Sequence, residues 1–311
     1  MLKKGTYCRV PPLTAPFHSN TVSYVRERRC PSGGYCFYRL DEPNAGDTFY
    51  ALQVLSLLGQ EVRDEETAVF LQGLQERDGS FPSHAAALFA GRALQLLGAS
   101  PCYEIAPFIT RSIPRISPET RVIETLSLFE PPHTWLSLFF LYGVPLPDEW
   151  RDQITTAILG FQVKSGGFGS PNATLQDTWR AAESLAMLCS QDTNAGALSF
   201  LRSCEDPEYG YIGRPGSRPA YLEDVHAGVR LSALLGTAPR YAGACREFIG
   251  RCAHQSGGFT RSVFGGAPTL EFTALAVEVL AILGGRAPLP IAPIGFIHGK
   301  VQPESKRENC S

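Results

Sequence analysis

A glycine turn returns along this chain at a nearly constant spacing, and that period restricts the fold more than any other feature of the sequence. Gly33-Gly34-Tyr35, Asp78-Gly79-Ser80-Phe81, Gly166-Gly167-Phe168, Tyr209-Gly210-Tyr211 and Gly257-Gly258-Phe259 place their second glycine, or its equivalent, at 34, 79, 167, 210 and 258. The gaps are 45, 88, 43 and 48. Because 88 is two periods, the spacing predicts a sixth unit near residue 123 that has lost its glycines. Periods of this size mark arrays of supersecondary units that bury their apolar faces against one another.

Each turn joins two segments of different character. A helix-period stretch of mixed charge precedes it, as in Asp64 to Gln75, Asp148 to Phe161 and Arg240 to Cys252, and a more apolar stretch follows. The apolar stretches share a frame: Asp47, Asp177 and Asp224 stand twelve residues before Gly59, Cys189 and Gly236. This reads as a helix capped by a carboxylate and stopped at glycine. The last repeat keeps Thr273 and Gly284 at the separation of Thr48 and Gly59, with Phe272 in place of the aspartate. Mixed-charge helices suit an outer ring and apolar ones an inner ring. The expectation is an all-α fold, an α/α toroid of six helical hairpins (an α6/α6 barrel) over residues 19–285, between an N-terminal extension, 1–18, and a C-terminal tail, 286–311. An open solenoid is the competing architecture.

Composition narrows the function classes. Of 311 residues 44% are hydrophobic, enough for a large core, and the net charge of −2 with scattered basic residues argues against nucleic acid as a partner. No apolar run reaches the roughly 18 residues that span a bilayer. The first residues do not read as a secretory signal, so a cytoplasmic location is expected. Nine cysteines without a Cys-x-x-Cys pair read as reduced, mostly buried thiols rather than a disulfide framework.

The glycine turns, together with Asp47-Thr48-Phe49-Tyr50-Ala51-Leu52 and Asp177-Thr178-Trp179-Arg180-Ala181-Ala182, resemble the prenyltransferase and squalene-cyclase repeat. The single toroid and the stretch from Gly210 to Pro219 are most similar to protein prenyltransferase β subunits. That resemblance implies a zinc ion held by Asp-x-Cys at the start of the fifth inner helix and by a histidine at the start of the sixth, with an α subunit as partner and an acceptor peptide whose thiol the metal activates. Here the fifth helix reads Asp224-Val225-His226 and the sixth Leu270-Glu271-Phe272-Thr273. Asp224 matches, His226 stands for cysteine, and Glu271 is one residue out of register, which makes Asp224, His226 and Glu271 the candidate metal ligands. The alternative is that Asp224 is an N-cap and His226 an ordinary funnel side chain.

The resemblance also implies basic residues that hold an isoprenoid diphosphate at the mouth. Arg218 has the family's separation from Asp224, Arg214 follows Gly210-Tyr211-Ile212-Gly213, and Arg180 is a third candidate; the histidine expected before the fourth inner helix is replaced by Thr174-Leu175-Gln176. Parallel inner helices would collect their positive N-terminal ends at that mouth. Tyr50, Trp135, Trp179, Tyr221 and Phe272, with Phe49, are the candidate ligand-facing rings, suited to an isoprenoid chain; plain core packing is the alternative. Three functions follow: a prenyltransferase with Asp224 and His226 as catalytic residues, a terpene cyclase lacking the Asp-x-Asp-Asp acid motif, and a non-catalytic toroid that binds a partner or hydrophobic ligand.

Overall fold

A computed structural model describes residues 15–38, 41–111, 127–189 and 194–288. The turn expected near residue 123 and most of both flanking segments lie outside them.

Twelve helices among the described residues alternate between two layers. The outer ones are α1 (Ala15–Arg26), α3 (Glu65–Gln72), α5 (Ala106–Ile109), α7 (Asp148–Leu159), α9 (Asn194–Ser203) and α11 (Ala242–Arg251). The inner ones are α2 (Ala45–Leu57), α4 (His84–Leu97), α6 (Glu130–Tyr142), α8 (Leu175–Met187), α10 (Leu222–Leu234) and α12 (Leu270–Leu283). Each inner helix packs on the next, and α12 packs back on α2, so the array is a closed α/α toroid and not an open arc. A two-stranded antiparallel hairpin, β1 (Glu205–Asp206) and β2 (Gly210–Tyr211), is the fifth turn. Apolar side chains between the two layers, such as Leu52, Leu71, Ala90, Leu94, Phe168, Phe248 and Val279, are buried. No helix of the described residues is long and apolar enough to cross a membrane.

The recurrent glycines are the joints of this ring. Each described turn presses on the outer helix of the following repeat, or on the residues just ahead of it, so closely that a Cβ has no room. At Gly34 and Gly167 it would lie 2.6 Å from the rings of Phe70 in α3 and Phe200 in α9, and at Gly210 it would collide with Cys245 of α11. The sixth turn repeats the contact with the first helix, Gly257 against the carbonyl of Asn20 and Gly258 against the ring of Tyr24 in α1. Thr21 Oγ1 donates to the Gly257 carbonyl (2.8 Å) and Tyr24 Oη to that of Pro268 (2.8 Å), so closure uses the interior joint with added hydrogen bonds.

The recurrent threonines hold the turns from inside. Thr48, Thr178 and Thr273 accept from the backbone N–H groups of Tyr35 (3.0 Å), Phe168 (3.0 Å) and Phe259 (3.1 Å). Each is a buried amide with no helical or strand partner, and a hydroxyl one turn into the helix satisfies it.

The carboxylates expected as caps sit three residues inside. Asn44, Thr174 and Tyr221 occupy the cap positions of α2, α8 and α10, with Asp47, Asp177 and Asp224 following in the first turn. The side chains of Asn44 and Thr174 accept from the N–H groups of Asp47 and Asp177, whereas Asp224 reaches back to accept from the N–H of Tyr221 (3.1 Å). Six described cysteines are free thiols, five of them buried; the reading of all thiols as reduced is corrected at Cys102, which is disulfide-bonded.

Gly257→Ala is expected to destabilise the fold by about 3 kcal/mol or more, since the positive φ of +94° and the Asn20 carbonyl both oppose a side chain. Gly59→Ala, with φ of +71° and nothing within 4 Å of its Cβ, is expected to cost about 1 kcal/mol. Urea unfolding of the two variants checks the difference, and equal losses would refute the closing role of the sixth turn.

Candidate functional site

The inner helices run parallel, because their first residues touch one another. The Leu175 N–H donates to the Gly213 carbonyl in the segment that leads into α10 (2.8 Å), the Leu222 N–H to the Arg261 carbonyl in the segment that leads into α12 (2.9 Å), and Gln176 Nε2 to Asp224 Oδ1 (3.2 Å). Asp177 Oδ1 accepts from Ser127 Oγ (2.8 Å) and the Leu128 N–H (2.7 Å) ahead of α6. Six positive helix ends therefore share one mouth.

Paired side chains offset that positive field. Arg218 is bound at 2.8 Å to Asp206 and at 2.7 Å to Glu208, both on the β1–β2 hairpin, and lies over the Tyr209 ring. Arg261 pairs with Glu223 at 2.7 Å and covers the ring of Tyr221; Arg180 lies 3.7 Å from Glu130. Arg214 is exposed and, among the described residues, makes no ion pair. Glu271 is exposed at the start of α12, yet the protein around it raises its carboxyl pKa by desolvation, helped by Glu223 and Glu130. Of the three arginines expected at the mouth, Arg218 and Arg180 lie beside carboxylates and Arg214 does not.

Behind the mouth the wall is aromatic on one side. Phe49 and Tyr50 of α2 meet Phe89 of α4 at ring separations of 5.8 and 5.3 Å. Across the ring Trp179 of α8 lies 5.3 Å from His226 and 6.0 Å from His133, with the guanidinium groups of Arg180 and Arg230 5.0 and 5.5 Å from its centroid. Phe272 is half-buried among the side chains of the last two repeats. Trp135 is corrected: it points outward from α6, 5.6 Å from Trp150 of α7, and its Nε1 donates to the Ile109 carbonyl of α5 (2.9 Å).

The sequence reading missed what lies deeper. The residue six positions before the helix-ending glycine or cysteine is polar in all six inner helices: Gln53, Arg92, Ser137, Glu183, Arg230 and Glu278. At 1.5 Å per residue these lie about 12 Å in from the mouth. Arg230 bridges the two carboxylates, bonding Glu183 and, at 2.8 Å, Glu278 Oε1. His133 Nε2 is 2.8 Å from Glu183, His226 Nε2 is 3.0 Å from Glu278, and Gln53 Nε2 is 3.2 Å from the same Glu278 oxygen. Burial alone would raise both glutamates; Arg230 and His133 hold Glu183 well below the carboxylate range, and His226 with Arg230 hold Glu278 down to about 2. His133 is depressed by desolvation, against Glu183. Arg92 of α4 joins none of these bonds: among the described residues it has neither ion pair nor hydrogen bond, only the Phe49 ring 4.5 Å away, and burial lowers its pKa.

Asp224, His226 and Glu271 do not form the expected metal site. The Asp224 oxygens take Gln176 and the Tyr221 N–H, the His226 Nε2 faces Glu278, and Glu271 stays at the rim; among the described residues no cluster of three His, Cys, Asp or Glu side chains could hold a metal ion. Burial also raises the Asp224 carboxyl to about 6, against the bond from Gln176. The residues do not fit zinc.

The sequence profile described as the prenyltransferase alpha-alpha toroid domain matches residues 10–92, 131–218 and 225–293. Among solved structures, the chain is similar to one of the Candida albicans protein geranylgeranyltransferase-I complexed with GGPP, with a TM-score of 0.62 and 12% identity over 87% of this chain and 91% of that one. It is also similar to a protein from Actinoplanes, with a TM-score of 0.55 and 16% identity over 88% of this chain and 99% of that one. At such identities the likeness is one of fold. No curated protein matches its sequence significantly.

Asp224 gives a prediction with a defined sign. Its folded pKa of about 6 lies above the roughly 3.9 of an unfolded aspartate, so the native state binds the proton first and wild-type stability falls as pH rises through 6. Asp224→Asn removes the buried charge and keeps one of the two acceptor oxygens; its Oδ1 can accept from the Tyr221 N–H while its Nδ2 donates to Gln176 Oε1 once that amide turns over. The variant is expected to be more stable than wild type by up to about 3 kcal/mol at about pH 7.5, with the gap closing below about pH 4. Urea unfolding across that range checks it, and a gap independent of pH would refute it.

Proposed function

The chain belongs to the prenyltransferase alpha-alpha toroid family, and on that premise we propose that its funnel binds an isoprenoid-type hydrophobic ligand without activating a thiol on zinc. The supporting observation is the arrangement of rings inside the mouth: Phe49, Tyr50 and Phe89 on one wall and Trp179 on the other, on helices held in a closed ring. Rings so placed offer a hydrocarbon chain about 25 cal/mol of stabilisation for every Å² removed from water. The donor set at Asp224 and His226 supports the second half of the reading, since each is committed to a neighbour. No acceptor peptide and no α subunit are needed for ligand binding.

Transfer of the prenyl group from a diphosphate is the second reading, favoured by the family and by the Candida albicans enzyme, whose structure holds GGPP. In this chain Arg214 is the candidate to meet a leaving group, because Arg218 is neutralised by Asp206 and Glu208 and Arg180 lies beside Glu130. The terpene-cyclase reading lacks the Asp-x-Asp-Asp acid motif.

Calorimetry with geranylgeraniol and geranylgeranyl diphosphate tests both readings. Binding of the alcohol is expected, weakened about tenfold or more, some 1.4 kcal/mol, by Trp179→Ala and changed less than about twofold by Arg218→Ala. Added zinc is expected to change neither affinity. Failure of both probes to bind would overturn the reading; diphosphate binding lost in Arg214→Ala, with release of diphosphate on adding an acceptor, would replace it by the transferase.

A further inference from the structure

The interior leaves hydrogen-bond donors without acceptors. Arg92 has no partner among the described residues, although protein surrounds it on nearly every side and it keeps some accessible surface. The Tyr50 hydroxyl has none either, and burial raises its pKa so strongly that it stays protonated at all working pH values. Trp179 Nε1 is buried without a partner. Tyr50 and Arg92 belong to one patch: the Tyr50 ring packs on Phe89, Phe89 on Phe49, and the Arg92 guanidinium on Phe49. No oxygen of the belt is free for them, since Glu183 and Glu278 already receive Arg230, both imidazoles and Gln53.

We propose that the Tyr50–Arg92 patch is a subsite for a single carboxylate at the inner end of the hydrophobic ligand, so that the funnel selects an isoprenoid or fatty acid over the alcohol, the hydrocarbon and the diphosphate. This rests on the funnel-binding reading and names the ligand class for it. A hydrocarbon end would leave the Arg92 guanidinium desolvated and unpaired, which is costly. A carboxylate presents two oxygens to the planar fork of an arginine and a further lone pair to a tyrosine hydroxyl.

Charge separates the carboxylate from the diphosphate. Arg230 alone is bonded to Glu183 and Glu278, while Arg92 forms no ion pair among the described residues, and above them Arg180 faces Glu130 and Glu271. One added negative charge is matched by Arg92, whereas the two or three of a diphosphate would stand beside two buried carboxylates with no cation left to meet them.

The test is calorimetry on the wild-type chain with geranylgeranoic acid, geranylgeraniol and geranylgeranyl diphosphate as probes. The acid is expected to bind about tenfold or more tightly than either of the others. Arg92→Met should abolish that preference while leaving the alcohol within about threefold of wild type, Arg92→Lys should retain part of it, and Tyr50→Phe should lose about three- to tenfold for the acid alone. Equal affinities for acid and alcohol, or a diphosphate that binds tighter than the acid, would overturn the carboxylate subsite and leave funnel binding standing. No binding of any probe would overturn both. Because the comparison among probes is made on the wild type, it decides the question even if Arg92→Met does not fold; melting curves monitored by circular dichroism report the folding of each variant.

Discussion

Everything in this ring depends on a contact that has no side chain in it. Glycine turns bring the backbone of one hairpin against the outer helix of the next at distances that exclude a Cβ, and the threonine one turn into the inner helix satisfies the amide exposed by the bend. The spacing of the inner helices follows from that approach. A hairpin by itself would present an apolar inner helix to water; only neighbours on both sides cover it, which is why the repeats stand or fall together.

How much of this was legible in the sequence depends on whether the cause is local. The turns, the period and the inner-helix frame are local, and α2, α8, α10 and α12 lie where the frame put them. The caps are a near miss with a physical reason: a carboxylate is favourable both at the cap and in the first turn, so Asp47, Asp177 and Asp224 satisfy either placement, and only the backbone separates them. Trp135 fails differently. An aromatic early in an apolar helix can face either layer, and Trp150, which draws it outward, lies in the next repeat.

The polar belt was missed although its signal is in the sequence: one polar residue per inner helix at a constant distance from the end. Taken one helix at a time, Glu183, Arg230 or Glu278 is an isolated charge on a buried face, and the partners that make it tolerable are contributed from residues about 50 or more positions away. The carboxylates paired with Arg218 are closer, Asp206 and Glu208 only 12 and 10 residues before it on the hairpin, yet the motif itself does not show that the turn folds them back onto the guanidinium. Family membership therefore carries over the architecture, whereas the chemistry of the funnel is set by side chains that the repeat does not specify.

The sixth turn meets α1 through the same joint that links the interior hairpins. The ring consequently has no seam, and nothing in its packing marks any hairpin as first. A circularly permuted gene opening at another outer helix, with the old ends linked, would encode the same set of contacts, and the order in which the hairpins leave the ribosome is a property of the gene and not of the folded circle.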